Sequence, residues 1–216
     1  MLARVDELLR CQGRYAIGGQ RVPWLELVCM VTCGGLIYGS VMGSYGAKPL
    51  QACYSALKVP LLLVVATFIC LPSFYVVNAL LGFRDDFAAA FRGVMAAQAT
   101  LAVVLSALAP FTVVFYLSVE RYRTALLFNG LPFALATVAG QAVLGRHYRP
   151  LVTASPRHRI GKFFWIAAYI FVAVQMARVL RPFVGAPNLE VSFFRDGAWN
   201  NAYVQLARMI WNAFSG

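Results

Sequence analysis

The stretch Val59–Leu81, VPLLLVVATFICLPSFYVVNALL, decides the fold because it is long, apolar and free of charged residues. A helix of about 20 residues crosses a hydrocarbon core about 30 Å thick, so this stretch is long enough to span a membrane. In lipid, a single segment satisfies all of its backbone hydrogen-bonding groups only as a helix. The stretch therefore predicts a membrane-spanning helix.

Four other stretches have the same character, and the predicted spans are 24–45, 59–81, 94–118, 124–144 and 163–180. Of the 216 residues, 61% are hydrophobic and 12% are charged, whereas a soluble domain has about 45–50% and about 25%. The predicted fold class is all-α: a polytopic membrane protein with five transmembrane helices and short interfacial helices at both termini. Three regions are predicted: an amphipathic cytoplasmic segment (1–22), the five-helix bundle (23–181) and an aromatic interfacial tail with a terminal helix (182–216).

The basic residues predict the orientation of the bundle. Eleven Lys and Arg residues fall on the side of the N-terminus and eight on the other side. Because positively charged loops stay in the cytoplasm, we expect a cytoplasmic N-terminus and an exoplasmic C-terminus. The basic residues alternate with long apolar runs, so the net charge of +11 predicts contacts with anionic lipid headgroups and not with nucleic acid.

Five of these basic residues are predicted to anchor the bundle at lipid headgroups. The aliphatic stem of such a side chain lies in hydrocarbon while its charged group reaches a phosphate. The predicted anchors lie in the fourth loop and at the end of the last span: Arg157, Arg159, Lys162, Arg178 and Arg181.

The tail after Arg181 is the largest predicted segment outside the bundle. Pro182 and the Gly185–Pro187 turn are expected to redirect the chain. The aromatic and apolar residues of the terminal helix then share one face, as is typical of a helix at a membrane interface. This face is the predicted partner surface: Trp199, Tyr203, Ile210 and Phe214.

Three glycines in the first span, Gly35, Gly39 and Gly43, are spaced four residues apart. This spacing leaves one helix face without side chains, so another helix can approach closely. The partner is either a second copy of the chain or another span of the same chain. A five-span protein has many helices of its own, which favours packing within the chain.

Five amides lie within the predicted spans: Asn78, Gln98, Asn129, Gln141 and Gln175. Such groups line a polar pathway in some membrane proteins. In others they form hydrogen bonds between helices. None of the predicted spans carries an acid near its middle, and this favours the second interpretation.

No catalytic, metal or cofactor site is predicted. The two histidines, His147 and His158, fall in the basic fourth loop, where they are expected at the surface, and the serines have no partner base. The five cysteines are interpreted as packing residues. The segment FRDDFAAAFRG after the second span predicts a short interfacial helix whose acids, Asp85 and Asp86, favour its N-terminus.

The stretches LKVPLLLVVATFICLPSFYVVNALLGFRDDF, LSALAPFTVVFYLS and YIFVAVQMARVLRPFVGAPNLEVSFFR resemble a bacterial subgroup of the five-span membrane proteins related to the Ypt/Rab-GTPase-interacting family. The resemblance covers most of the chain from Leu57 onward and implies five spans without a catalytic motif, in a bacterial inner membrane. The region before the first span lacks the Asp-Leu-Tyr-Gly-Pro signature of the eukaryotic members, so GTPase binding is not inferred.

These observations predict a non-enzymatic membrane protein that acts as a scaffold or accessory subunit of a larger membrane assembly. Its predicted partners are anionic lipids and other membrane protein subunits or further copies of itself. A small channel or transporter lined by the amides is the alternative hypothesis, and a membrane enzyme or pigment carrier is the third.

Overall fold

The structure is a computed structural model that describes residues 2–15, 23–119, 121–185 and 191–194. Within these ranges the regular structure is helical, and a single 3₁₀ turn, Gly13–Tyr15, follows the first helix. The helices are α1 (Leu2–Arg10), α2 (Trp24–Gly43), α3 (Pro49–Leu80), α4 (Phe87–Ser118), α5 (Tyr122–Phe128), α6 (Gly130–Ala154) and α7 (His158–Val179).

Five helical segments are long and apolar enough to cross a membrane, and these are α2, α3, α4, the combined α5–α6 segment and α7. The predicted all-α class with five spans and a short N-terminal helix is therefore confirmed. The predicted terminal helix of the tail lies outside the described residues.

Several helices extend well beyond the apolar stretches that predict them. Helix α3 begins at Pro49 rather than near Val59, and α6 continues to Ala154. Polar and basic residues are compatible with helix ends at the membrane surface, because their long side chains reach water from the last turns. The prediction of a separate interfacial helix in FRDDFAAAFRG was wrong, since residues 87–93 of this segment form the first turns of α4.

The spans pack as a ring. Helix α2 packs against α3 and α4, α4 packs against α6, and α3 packs against α7. Helices α6 and α7 close the ring with a smaller contact, and α3 and α4 touch only slightly. Two apolar cores fill the ring: the larger extends from Leu8 and Leu27 at one end to Tyr45 and Val184 at the other, and the smaller surrounds Phe74 and Trp165.

The three predicted packing glycines face α3 of the same chain. A Cβ atom on Gly35 would lie 3.0 Å from the Pro60 Cα, and one on Gly43 would lie 2.7 Å from the Ala52 Cα. A Cβ atom on Gly39 would collide with the Ser55 carbonyl oxygen. This contact within the chain uses the glycine face that would otherwise be available to a second copy.

We expect Gly39→Ala to lower the free energy of unfolding by about 1–3 kcal/mol, because the added methyl group must push α2 and α3 apart. Gly145→Ala in α6 is the matched control, since a Cβ atom there meets no atom within 4 Å. Denaturant unfolding in detergent micelles measures both variants. Equal stability of the two variants would contradict the close approach of α2 to α3.

Candidate functional site

The densest group of buried polar side chains described in the bundle lies on one face of α3. Gln51, Ser55 and Lys58 are spaced at i, i+4 and i+7, so they lie along one side of the helix. All three are buried, and Lys58 has a relative exposure of 0%. We call these residues the α3 polar face.

The α3 polar face binds the backbone that follows α7. Lys58 Nζ donates a hydrogen bond of 2.7 Å to the Pro182 carbonyl oxygen. Gln51 Nε2 donates to the same oxygen at 3.0 Å and to the Phe183 carbonyl oxygen at 3.3 Å. Ser55 Oγ also donates to the Phe183 carbonyl oxygen. We call residues 182–184 the carbonyl segment.

The third carbonyl of this segment is bound from another helix. Tyr122, the first residue of α5, donates its hydroxyl hydrogen to the Val184 carbonyl oxygen at 3.4 Å. Three consecutive backbone carbonyls outside regular secondary structure therefore accept hydrogen bonds from side chains. Backbone carbonyls that are buried outside regular secondary structure need partners of this kind.

The Lys58 ammonium group also lies 4.9 Å from the ring centroid of Phe193. A buried cation is costly unless carbonyl dipoles, rings or anions surround it. Lys58 forms no ion pair with the described residues, so one carbonyl and one aromatic ring are its identified partners. Phe193 in turn packs edge-on against Tyr54, which brings the chain after the carbonyl segment back onto α3.

A second polar network borders the carbonyl segment on the side of α4 and α5. Tyr38 donates to Asn129 Oδ1 at 3.1 Å, and Asn129 Nδ2 donates to the Tyr116 hydroxyl oxygen at 2.6 Å. The Tyr45 ring packs against the rings of Tyr116 and Tyr122. Asn129 separates α5 from α6, so this network fixes the break in the fourth span.

The predicted headgroup anchors lie at the ends of the last span. Arg178 is exposed in the last turn of α7, and Arg181 is exposed immediately after the helix. At the opposite end Arg157 and Arg159 are exposed and Lys162 is half-buried. Their contacts with lipid remain a prediction. The predicted partner surface, Trp199, Tyr203, Ile210 and Phe214, lies outside the described residues.

Three of the five predicted amides form hydrogen bonds within the chain. Asn129 belongs to the tyrosine network, Gln98 accepts from the Tyr169 hydroxyl at 3.0 Å, and Asn78 donates to the Phe74 carbonyl oxygen at 2.8 Å. The buried side-chain oxygens of Gln141 and Gln175 have no hydrogen-bond partner among the described residues.

The surface placement predicted for both histidines was wrong. His147 is buried in α6, and its Nδ1 lies 3.8 Å from Cys11 Sγ. His158 begins α7 and is 1% exposed. Its Nε2 lies 3.2 Å from Asp86 Oδ2, and its ring stacks on Phe83. Helices α6 and α7 both extend into the predicted loop. His147 therefore packs against the N-terminal segment, and His158 packs against the α3–α4 turn.

The N-terminal segment is tied to the start of α2 through Glu26. Arg4 and Arg14 each pair with Glu26 Oε1, at 3.0 Å and 2.9 Å, and Tyr15 donates to Glu26 Oε2 at 2.8 Å. Burial and this carboxylate raise the pKa of Tyr15 to about 12. Tyr15 is therefore neutral at physiological pH and acts as a hydrogen-bond donor.

In the part of the chain that the structure describes, no three His, Cys, Asp or Glu residues come together as metal ligands. A comparison of the chain with protein families, with curated proteins and with solved structures finds no match. The resemblance to the five-span family therefore stays a prediction, and the geometry of the site carries the functional argument.

The predicted second span begins at Val59 and leaves Lys58 outside it, so the α3 polar face is not predicted. The signal was present in the sequence, since Gln51, Ser55 and Lys58 fall on one side of any helix that begins before them. Their partners, the carbonyls of residues 182–184, are more than 120 residues away and have no sequence signature.

We expect Lys58→Met to loosen the carbonyl segment. The substitution keeps a long apolar stem but removes the charged hydrogen bond, which is worth about 1.5–3 kcal/mol. Amide hydrogen exchange at residues 183–185 should accelerate by about tenfold or more. Lys162→Met, a half-buried lysine at the opposite end, is the control. Unchanged exchange in Lys58→Met would show that Lys58 does not hold the segment.

Proposed function

We propose that the chain is a non-enzymatic membrane scaffold or accessory subunit that presents its C-terminal tail to another membrane protein. The observation that carries the proposal is the fixation of the carbonyl segment by Gln51, Ser55, Lys58 and Tyr122. A buried lysine and two other buried polar side chains are costly in a membrane bundle. Here they hold the point from which the tail begins.

Fixing this point favours association because a preorganised segment loses less conformational entropy when it binds a partner. The apolar surface supports the same proposal, since α7 exposes large apolar side chains such as Ile170 and Val174. This face of α7 provides room for a neighbouring subunit.

The proposed location is a bacterial inner membrane with the N-terminus in the cytoplasm. Lys58 is buried inside the bundle, so it does not act as a loop charge on the opposite side. Lys58 therefore no longer counts among the basic residues on the side opposite the N-terminus. The excess of basic residues on the N-terminal side becomes larger, which supports the proposed orientation.

Photo-crosslinking in native membranes tests the scaffold function. A photoreactive amino acid replaces Trp199 or Tyr203 in the tail, and the same amino acid at Val138 on the exposed face of α6 is the control. We expect both tail positions to form an adduct with one distinct polypeptide and Val138 to give mainly lipid adducts. Adducts with lipid alone at both tail positions would contradict the proposal.

A small channel or transporter is a second candidate. It is favoured by the side-chain oxygens of Gln141 and Gln175, which have no partner in the part of the chain that the structure describes. Buried amide oxygens without a protein partner are the groups that water or a polar solute would solvate. Flux of a small polar solute into liposomes that contain the purified chain, lost in a Gln141→Leu/Gln175→Leu double variant, would support this function. Absence of flux would exclude it for the solutes tested.

A further inference from the structure

An apolar cavity of about 330 Å³ lies where α2, α3 and α4 meet. It exists because α3 and α4 each pack against α2 but scarcely touch each other. Its walls extend from Trp24 to Val31 on α2 and from Phe91 to Gln98 on α4. Both walls cover seven residue steps, which is about 10 Å at the helical rise of 1.5 Å.

The cavity opens toward the membrane. Phe68 and Val28 line it and have relative exposures of 66% and 47%. Trp24 is the first residue of α2, and its ring stacks on Phe91 with a centroid distance of 5.5 Å. The cavity therefore begins at the end of the bundle that carries the N-terminus and extends into the hydrocarbon region, where a lipid chain reaches it laterally.

The lining excludes a polar ligand. Thr67 and Gln98 are the polar residues of the lining, and both already have partners in the protein. Thr67 donates to the Leu63 carbonyl oxygen at 2.8 Å, and Gln98 accepts from Tyr169. Cavities lined in this way stay dry and bind apolar molecules.

The size favours a hydrocarbon chain over a helix from a second copy of the chain. A helix with its side chains has a diameter of about 10 Å, which is as large as the whole length of the cavity along α2 and α4. A volume of 330 Å³ lies at the lower end of the range for small-molecule pockets. A single flexible hydrocarbon chain fits both the width and the lining.

We propose that this cavity binds one acyl chain of an anionic membrane phospholipid. Charge supports the headgroup assignment, because the described residues at this end of the bundle include ten Lys and Arg residues against five Asp and Glu residues. The cavity begins at the level of that charge, so one lipid places its chain between the helices and its phosphate among basic side chains. This site is independent of the carbonyl segment, which lies at the other end of the bundle.

Native mass spectrometry of the full chain in detergent tests the proposal with palmitoyl-oleoyl phosphatidylglycerol and palmitoyl-oleoyl phosphatidylcholine as probes. We expect one phosphatidylglycerol to be retained per chain, and to bind more tightly than phosphatidylcholine.

Val28→Trp and Val64→Phe narrow the cavity and should weaken the retention of phosphatidylglycerol by about tenfold, which is the effect of excluding about two methylene groups. Val138→Trp on α6 is the control for an added ring on a lipid-facing surface.

Undiminished retention in both cavity variants would overturn the site, and equal retention of the two lipids would overturn the headgroup assignment. The unmodified chain provides a second measurement that does not depend on the folding of a variant. A phosphatidylglycerol with a diazirine in its acyl chain should label peptides that contain Val28, Val64 or Met95. Labelling spread evenly over the exposed faces of all five spans would also overturn the proposal.

Discussion

Every part of this structure depends on one constraint, which is that backbone hydrogen-bonding groups inside a bilayer or buried in the protein must find partners within the chain. The five spans meet this constraint as helices. The carbonyl segment meets it without regular structure, because Gln51, Ser55, Lys58 and Tyr122 donate to its three carbonyls. The buried polar side chains of α3 thus lie beside the point at which the chain leaves α7.

The glycine face of α2 and the polar face of α3 belong to the same arrangement. Gly39 and Gly43 allow α2 to lie against the turn of α3 that contains Ala52 and Ser55. This close approach sets the position of α3, and the residues that contact the carbonyl segment come from the same turns. The packing of small residues against α3 therefore determines where the hydrogen-bond donors of α3 lie.

The sequence was sufficient to predict the fold class, because five long apolar stretches have few alternatives in lipid. It was less informative about helix ends. Basic residues such as Arg149 and Arg159 are typical of loops, yet they continue α6 and α7, and His158 is buried as a result. The candidate site could not be predicted for a different reason. Its acceptors are the backbone carbonyls of residues 182–184, and a backbone carbonyl is the same in every residue type, so it leaves no pattern in the sequence. Only the tertiary arrangement brings them to Lys58.

The central claim is that five helical spans place the two ends of the described chain on opposite sides of a bilayer. The direct measurement uses a variant without native cysteines, in which single cysteines replace Gln12 or Ser192, both exposed. A membrane-impermeant maleimide is then applied to vesicles of known orientation. The account predicts that each vesicle orientation labels one of the two positions and not the other. Labelling of both positions from the same side would contradict it.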